Sequence, residues 1–237
     1  MHRFYIPSLD LSADTVTIAD PRVLHQCAKV LRMKMGDEFG VFDENAQEFK
    51  LRVLEVNHRK MVAQVMEPIP RHTESAVRVS LYQAIPKKTA LFEWVVEKAT
   101  ELGVAEIFPL ITERTEKRRM SKFERLERIA IESAEQCNRL RVPVIHHPVS
   151  LDTALEQVKN AYMAYEYADG MDLVDYGAGL SAGGALQLFI GPEGGFSQRE
   201  VTAAQKAGVK IYSLGPRILR TETAAISSLA LLLHSIR

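Results

Sequence analysis

Two short segments of the sequence combine glycines with charged or polar residues in a way that could bind a ligand. The first runs Ile190-Gly191-Pro192-Glu193-Gly194-Gly195-Phe196, and it lies between an apolar stretch and a Ser197-x-x-Glu200 capping box. Its glycines lack a Cβ, so the backbone can approach a ligand closely and donate N–H groups to it. The spacing matches neither G-x-G-x-x-G nor a Walker P-loop, so nucleotide phosphate is not the first ligand we expect. A tight strand-to-helix turn without a ligand is the alternative.

The second segment runs Leu214-Gly215-Pro216-Arg217-Ile218-Leu219-Arg220-Thr221-Glu222-Thr223-Ala224. Two arginines stand beside a glutamate in a loop that is otherwise largely apolar, and Thr221 can cap the helix that follows. A structural ion pair between Arg220 and Glu222 is the alternative to a functional role. Both segments link a strand to a helix. In a parallel sheet they should therefore meet at the carboxyl ends of the strands and form one cleft.

Scattered basic and amide side chains suit contacts with a phosphate backbone. They occur around the first predicted helix, at Lys87-Lys88 and in Gln136-Cys137-Asn138-Arg139. The stretch 113–128 is the densest, with seven Lys and Arg against four Glu and a net charge of +3. A solvated helix face with ion pairs is the alternative for that stretch. The whole chain has a net charge of zero, which argues against a strongly basic nucleic-acid binder, although local patches matter more.

The composition is that of an ordinary globular protein of 237 residues, 46% hydrophobic and 25% charged. No apolar run approaches the roughly 20 residues of a membrane span, and the N-terminus lacks the apolar stretch of a signal peptide. We therefore expect a cytoplasmic protein without membrane contact. Cys27 and Cys137 are too few for a zinc site, and His146-His147 lack further ligands, so no metal is expected.

Residues 1–70 are predicted to form a small β-rich domain. Strands are expected over 3–6, 15–18, 38–42, 48–56 and 61–65, with polar turns typical of a small barrel. Asp20-Pro21 should begin a helix that runs to about Arg32. The stretch from Glu67 to Glu74 has two prolines and little apolar content, so it is the expected linker.

Residues 75–237 alternate strands with helices, which predicts an α/β domain with a mostly parallel sheet. Strands are expected over 77–84, 106–111, 160–166, 185–190 and 209–214. Helices are expected over 89–102, from a Ser121-x-x-Glu124 capping box, from Ser197 to Gly208, and over 222–236. The glycine-rich stretch 177–184 is predicted to be a surface loop. The last helix is apolar on several sides, so it must be covered, either by a second copy of the chain or within the monomer.

Several segments in order resemble the bacterial 16S ribosomal RNA uridine N3-methyltransferase family, part of the SPOUT class. They are the two loops above, Glu97-Lys98-Ala99-Thr100-Glu101-Leu102-Gly103, the stretch from Val30-Leu31-Arg32 to Gly36-Asp37, and Glu132-Ser133-Ala134-Glu135-Gln136-Cys137-Asn138-Arg139. The resemblance implies a PUA-like, RNA-binding barrel over 1–70, an α/β methyltransferase domain with a trefoil knot over 75–237, and a homodimer. It also implies S-adenosyl-L-methionine (SAM) as cofactor and uridine 1498 of the small ribosomal subunit as target. Patterning alone predicts an ordinary doubly wound sheet without a knot.

The resemblance also indicates which residues bind the cofactor, while the RNA contacts and the catalytic residue are expected from side-chain chemistry. The cofactor would lie against the loops 190–196 and 214–223, with Tyr165-Glu166 as a third wall. The residues expected to contact it are Tyr165, Ile190, Gly191, Pro192, Glu193, Gly194, Gly195, Leu214, Gly215, Ile218, Leu219, Arg220 and Thr223. RNA contacts are expected from Arg3, His25, Lys29, Arg32, Lys87, Lys88, Arg114, Arg118, Arg119, Gln136, Arg139 and Arg217. Arg220 is the expected catalytic residue, because a guanidinium can stabilise the negative charge that develops on uracil as N3 loses its proton.

Two other functions remain open at this point. One is a non-catalytic RNA-binding regulator that uses SAM only as a ligand. The other is an NAD-type or phosphate-binding enzyme that uses the Gly191–Gly195 loop.

Overall fold

The computed structural model describes residues 1–168 and 183–235, and the side chains up to Leu233 in the last helix. Most of the predicted loop 177–184 therefore lies outside the described residues. The contacts divide the chain into two compact units. One comprises Met1–Glu74 together with Ala134–Arg141, and the other comprises Ser75–Ser133 together with Val142–Arg237. The assignment of 134–141 to the first unit had no counterpart in the sequence analysis.

The first unit is built on a five-stranded sheet. Its strands are β1 (Arg3–Tyr5), β2 (Thr15–Ile18), β3 (Glu38–Phe42), β4 (Glu48–Val56) and β5 (Met61–Pro68), in the order β1-β3-β4-β5-β2. The β1–β3 pair is parallel, and the other pairs are antiparallel. Alternate strand residues such as Phe39, Val41, Leu51 and Val53 are fully buried and form the core with the helical segment.

That helical segment differs from the single helix that the sequence predicts. Helix α1 (Pro21–Leu24) is continued by a π-helix over His25–Val30, in which the Leu31 N–H donates to the Gln26 carbonyl at 2.8 Å. Its beginning is as expected, because the Asp20 carboxylate accepts from the Arg22 and Val23 N–H groups. The π-helix buries Cys27 completely, and burial raises the pKa of this thiol to about 12.

Buried arginines tie the predicted linker and the segment 134–141 into the first unit. Arg3 pairs with Glu48 at 3.1 Å and donates to the carbonyls of Ala134 and Arg139, both at 2.8 Å. Arg71 pairs with the same Glu48, and Arg139 pairs with Glu74 at 2.8 Å. The expected linker 67–74 is therefore held by contacts within the first unit, and the domain boundaries that it marks stay a prediction. Strand β5 reaches Pro68, and the later residues are held by ion pairs.

The same contacts correct two predicted RNA-binding residues. Arg3 and Arg139 are 6% and 3% exposed, and both guanidinium groups are occupied by partners inside the unit. Neither side chain is placed to meet RNA. Patterning could not detect this, because the partners Ala134 and Glu74 are far from these arginines in sequence.

The second unit contains the predicted α/β layers. Its strands are β6 (Arg78–Ala84), β7 (Glu106–Ile111), β8 (Val144–Ile145), β9 (Val149–Ser150), β10 (Ala161–Ala164), β11 (Ala185–Ile190) and β12 (Lys210–Tyr212). The sheet order is β12-β10-β11-β6-β7-β8, with β9 also beside β7, and every described pair is parallel. The expectation of a mostly parallel sheet is confirmed.

Helices cover both faces of this sheet. They are α2 (Thr89–Leu102), α3 (Phe123–Gln136), α4 (Leu151–Leu155), α5 (Gln198–Lys206) and α6 (Thr221–Ser235). Neighbouring residues of β11 lie on opposite faces of the sheet. Leu188 packs with α2, α3 and α6, whereas Phe189 packs with α4 and α5. Helix α3 begins at Phe123, so the residue before it is Lys122, at φ 72°, and not the predicted cap Ser121. Within the described residues, no helix is both long enough and apolar enough to cross a bilayer.

Candidate functional site

A cleft opens in the second unit at the carboxyl ends of three adjacent strands. Its walls are the residues that follow β10, β11 and β12, and it encloses about 590 Å³ of space that is open to solvent. Parallel strands bring their carboxyl ends to one edge, so the predicted convergence of the two glycine-bearing loops is found. The lining comprises Ala164, Tyr165, Glu166, Ile190, Gly191, Pro192, Glu193, Gly195, Phe196, Ser213, Leu214, Gly215, Arg217, Ile218, Leu219, Thr221 and Ala224.

Ten of the thirteen predicted cofactor-binding residues line this cleft. The other three, Gly194, Arg220 and Thr223, lie outside the lining. Arg217, which the sequence analysis placed with the RNA contacts, lines the cleft instead. Ala164, Ser213 and Ala224 were missed, although each lies at a strand end or in the first turn of α6, where the topology would have placed it.

The glycine loop after β11 is packed too tightly for side chains at two positions. A Cβ on Gly191 would lie 3.2 Å from two ring carbons of Phe196, which is buried beneath the loop. Gly195 has φ 67°, and a Cβ there would lie 2.4 Å from Glu166 Oε1. The Gly195 N–H donates to the Pro192 carbonyl at 2.9 Å, so this amide stabilises the loop itself and is not free for a ligand.

Gly194 faces a different neighbour. Arg114 donates to the Gly194 carbonyl at 2.5 Å, and a Cβ on Gly194 would make only ordinary contact with the Arg114 side chain, at 3.4 Å from its Cδ. Two predicted features thus meet here, since Arg114 belongs to the basic stretch after β7 and Gly194 to the glycine loop. The arginine braces the outer side of that loop.

Further contacts hold the basic stretch against the start of α5. The buried Glu200 accepts from the Glu113 N–H at 2.7 Å and completes the predicted capping box with Ser197. Glu113 also pairs with Arg199. Hydrogen bonding by Ser197 and then by Arg199 lowers the pKa of Glu113, so its carboxylate stays charged at neutral pH.

Thr221 connects the two walls of the cleft. It is the first residue of α6, and its hydroxyl donates to the Gly191 carbonyl at 2.5 Å while accepting from Gln83 Nε2 at 2.8 Å. From the sequence, Thr221 is expected to cap the last helix. The structure shows that its hydroxyl instead links the second loop to the first.

The two arginines of the second loop are both exposed. Within the described part of the chain, Arg220 has no ion pair, so the structural alternative of an Arg220–Glu222 pair is not found. The cleft itself contains Arg217 and two carboxylates, Glu166 and Glu193. Glu193 accepts from the Lys87 N–H at 3.0 Å, which fixes the carboxylate at the rim.

The remaining predicted RNA-binding residues are exposed. His25, Lys29, Arg32 and Gln136 belong to the first unit, and Lys87, Lys88, Arg114, Arg118 and Arg119 to the second. Lys87 is partly neutralised by Glu116 at 2.8 Å. Among the described residues, no three His, Cys, Asp or Glu side chains are grouped so that they could hold a metal ion.

Family models match both units. One, described as an RNA methyltransferase domain, matches residues 73–233, and another, described as an RNA methyltransferase PUA domain, matches residues 24–66. Among curated proteins, the ribosomal RNA small subunit methyltransferase E of Synechocystis sp. is 32% identical over 234 residues. The match covers 97% of this chain and 76% of that protein.

Solved structures agree over the full length. A protein from Legionella pneumophila, solved with bound SAM, superposes with a TM-score of 0.88 at 32% identity, covering 99% of this chain and 98% of the other. A ribosomal RNA small subunit methyltransferase E from Neisseria gonorrhoeae, also bound to SAM, gives a TM-score of 0.87 at 26% identity over 97% and 95% of the two chains. Family models, sequence and structure therefore agree that this chain belongs to the ribosomal RNA small subunit methyltransferase E family of RNA methyltransferases.

Proposed function

We propose that the protein transfers a methyl group from SAM to N3 of uridine 1498 in the 16S RNA of the small ribosomal subunit. The observation that carries this proposal is the cleft after β10, β11 and β12, where two glycine-bearing loops meet beside exposed arginines. The SAM bound to the similar Legionella and Neisseria proteins supports the choice of cofactor.

The residues that line the cleft suit SAM in their chemistry. Gly191 and Gly195 bring backbone without side chains to the cleft, and Ile190, Leu214 and Leu219 supply an apolar wall. SAM carries a sulfonium and an ammonium group, and Glu166 and Glu193 would supply negative charge in the cleft that favours both. When bound, this cofactor supplies an electrophilic methyl group.

The acceptor nitrogen imposes further demands on the protein. N3 lies on the base-pairing edge of uracil, so the base must be unpaired or flipped out of its stack. N3 must also lose a proton, which places negative charge on the neighbouring carbonyl oxygens. Arg220 is our candidate to stabilise that charge, because it is exposed, adjoins the cleft residue Thr221 and has no ion pair among the described residues. A metal is not required for this reaction.

The exposed cations of both units would hold the RNA by its phosphates. The match of residues 24–66 to an RNA methyltransferase PUA domain supports this role for the first unit. The trefoil knot and the homodimer implied by the resemblance, and the cytoplasmic location expected from the composition, are part of this proposal. The family membership supports them.

The test compares ligands first and products second. Calorimetry should show that the purified protein binds SAM and does not bind NAD, which separates this function from the dinucleotide alternative. Small subunits from cells that lack the protein should then gain one methyl group, which mass spectrometry of RNA fragments should locate at N3 of uridine 1498. Binding of SAM and RNA without methyl transfer would instead establish a regulator, and a methyl group elsewhere would refute the assigned position.

A further inference from the structure

We propose that Gln83 is a positioning residue that sets the geometry of the cleft through Thr221, an inference that rests on the SAM-binding role proposed above. Gln83 lies near the end of β6, directly opposite Ile190 in the parallel register, and is fully buried. Its side chain is not part of the cleft lining. Its amide reaches the cleft only through the chain of bonds Gln83 Nε2 to Thr221 Oγ1, at 2.8 Å, and Thr221 Oγ1 to the Gly191 carbonyl, at 2.5 Å.

The protons of this chain fix the direction of both bonds. A carbonyl can only accept, so the single hydroxyl proton of Thr221 must go to Gly191. The Thr221 oxygen must then accept, and the neighbour that can donate is the amide nitrogen of Gln83. The second proton of that nitrogen goes to the Ala84 carbonyl at 3.0 Å. The reversed amide would set its oxygen against two groups that have no proton to offer, so the orientation is determined by the network.

This orientation leaves Gln83 Oε1 without a partner among the described residues. Burying an unpaired carbonyl oxygen destabilises the folded state. The residues around Gln83 in β6, Leu81, Tyr82 and Ala84, are buried and largely apolar, and an apolar side chain at position 83 would avoid that cost. Stability therefore does not account for a glutamine here, whereas its two donated hydrogen bonds do.

Those bonds control the distance between two walls of the cleft. Gly191 belongs to the loop after β11, and Thr221 ends the loop after β12 and begins α6. Gly191 has no side chain of its own with which to hold its peptide in place, so the orientation of its carbonyl depends on Thr221. The amide of Gln83 in turn orients the Thr221 hydroxyl. It thereby holds the two loops in register before any ligand arrives.

Three variants test this chain of bonds. Gln83→Met keeps length and apolar volume and removes the amide. Thr221→Val keeps the shape and removes the hydroxyl, and Thr221→Ser restores the hydroxyl. SAM affinity should fall about fivefold to tenfold in the first two, from the loss of hydrogen bonding. The double variant Gln83→Met/Thr221→Val should bind no more weakly than the poorer single variant, since both changes break one chain. Thr221→Ser should recover most of the affinity that Thr221→Val loses.

A similar chain of bonds on the same helix supplies the control. Tyr212 donates to Ser228 at 2.7 Å, and Ser228 donates to the Ala224 carbonyl at 2.7 Å, with Ser228 itself outside the cleft lining. Ser228→Ala should lower the melting temperature and leave SAM affinity unchanged. Gln83→Met should do the opposite, with a melting temperature equal to or above that of the wild type and weaker SAM binding.

The outcomes separate this inference from the function on which it rests. If the wild-type protein does not bind SAM, both the proposed function and the role of Gln83 are refuted. Wild-type binding with an unaltered affinity in Gln83→Met overturns the role of Gln83 and leaves the function intact. An affinity loss in Gln83→Met that accompanies a lower melting temperature, as a purely structural role requires, also overturns it. Additive losses in the double variant would show that the two residues act independently, against the proposal.

Discussion

At the scale of single residues, the two arginines of the second loop are expected to act differently. Arg220 is exposed without an ion pair among the described residues, whereas Arg217 lines the cleft. If Arg220 stabilises the developing charge on uracil, Arg220→Ala should lower kcat by about two to three orders of magnitude. SAM affinity and melting temperature should stay near the wild-type values. Single-turnover methylation of small subunits, with calorimetry of SAM binding, measures both quantities.

Arg217→Ala is the matched control for that prediction. Because Arg217 lies in the cleft wall, its removal should change SAM affinity or the KM for RNA more than kcat. A variant Arg220→Ala that keeps its turnover on the cognate RNA would exclude a catalytic role. A joint fall of its stability and SAM affinity would make the residue structural.

Cys27 offers a second test at this scale. Burial raises its pKa to about 12, so the thiol stays protonated and shielded at pH 8, and the thiolate is the reactive form. In the background of Cys137→Ser, iodoacetamide should label Cys27 hardly at all in the folded protein and rapidly after denaturation. Mass spectrometry reports the labelled fraction. Rapid labelling of the folded protein at pH 8 would contradict the burial of this helix face.

Burial separates the residue roles that could be predicted from those that could not. The cleft residues were found because glycines and polar residues at strand ends have a local signature. Arg3 and Arg139 were assigned to RNA because an arginine has the same signature at a surface as in a buried ion pair. Gln83 was not noticed at all, since its role depends on Thr221, far along the chain.

At the scale of elements, the glycine loop should tolerate substitution unevenly. Gly191→Ala places a methyl group 3.2 Å from the Phe196 ring, so the loop or the ring must move. SAM affinity should fall about tenfold, which corresponds to about 1.4 kcal/mol. Gly194→Ala meets Arg114 only at ordinary contact distance and lies outside the cleft lining, so its affinity should change less than about twofold. Calorimetry measures the SAM affinity of both variants. Equal losses of affinity would refute the predicted difference between Gly191 and Gly194.

The elements themselves were largely predictable. The strands β2, β3, β4 and β7 and the helix α2 have the expected bounds, because alternation, periodicity and Gly103 at φ 103° define them locally. The π-helix after α1 was not predicted. Its hydrogen bonds join residues five apart and not four apart, as in an α-helix, and the pattern of apolar side chains does not show that difference. Nor did any local pattern show that residues from Ala134 onward in α3 belong to the first unit.

At the scale of the whole molecule, the last helix tests the proposed dimer. Leu229 and Leu232 are fully buried within the second unit, whereas Leu231 is 39% exposed. A buried charge in a subunit interface is costly, so Leu231→Glu should shift the protein from dimer to monomer. Val144→Glu, at an apolar site on β8 that is 51% exposed, should stay dimeric. Analytical ultracentrifugation at micromolar concentration distinguishes them, and a monomeric wild type would disprove the dimer.

The substrate should be large because the exposed cations are divided between the two units. His25, Lys29 and Arg32 belong to one unit, and Arg118 and Arg119 to the other. Affinity for small subunits should therefore fall as salt rises, with a slope that reflects several phosphate contacts. Filter binding over a salt series measures the slope, and methylation assays compare subunits with a short oligonucleotide. Equal turnover on the oligonucleotide would refute the prediction.

The segment 134–141 also has a consequence for how the protein is made. Domains generally fold as their residues leave the ribosome, from the N-terminus onward. Arg3, however, finds the Ala134 and Arg139 carbonyls, and Tyr5 N–H finds Glu135 at 2.8 Å, only after about half of the chain has been synthesised. The first unit cannot complete these contacts, or the Arg139–Glu74 ion pair, until then, although its sheet is already translated. During synthesis, the first unit should therefore finish folding only after part of the second unit has been made, and the two units should not fold strictly one after the other.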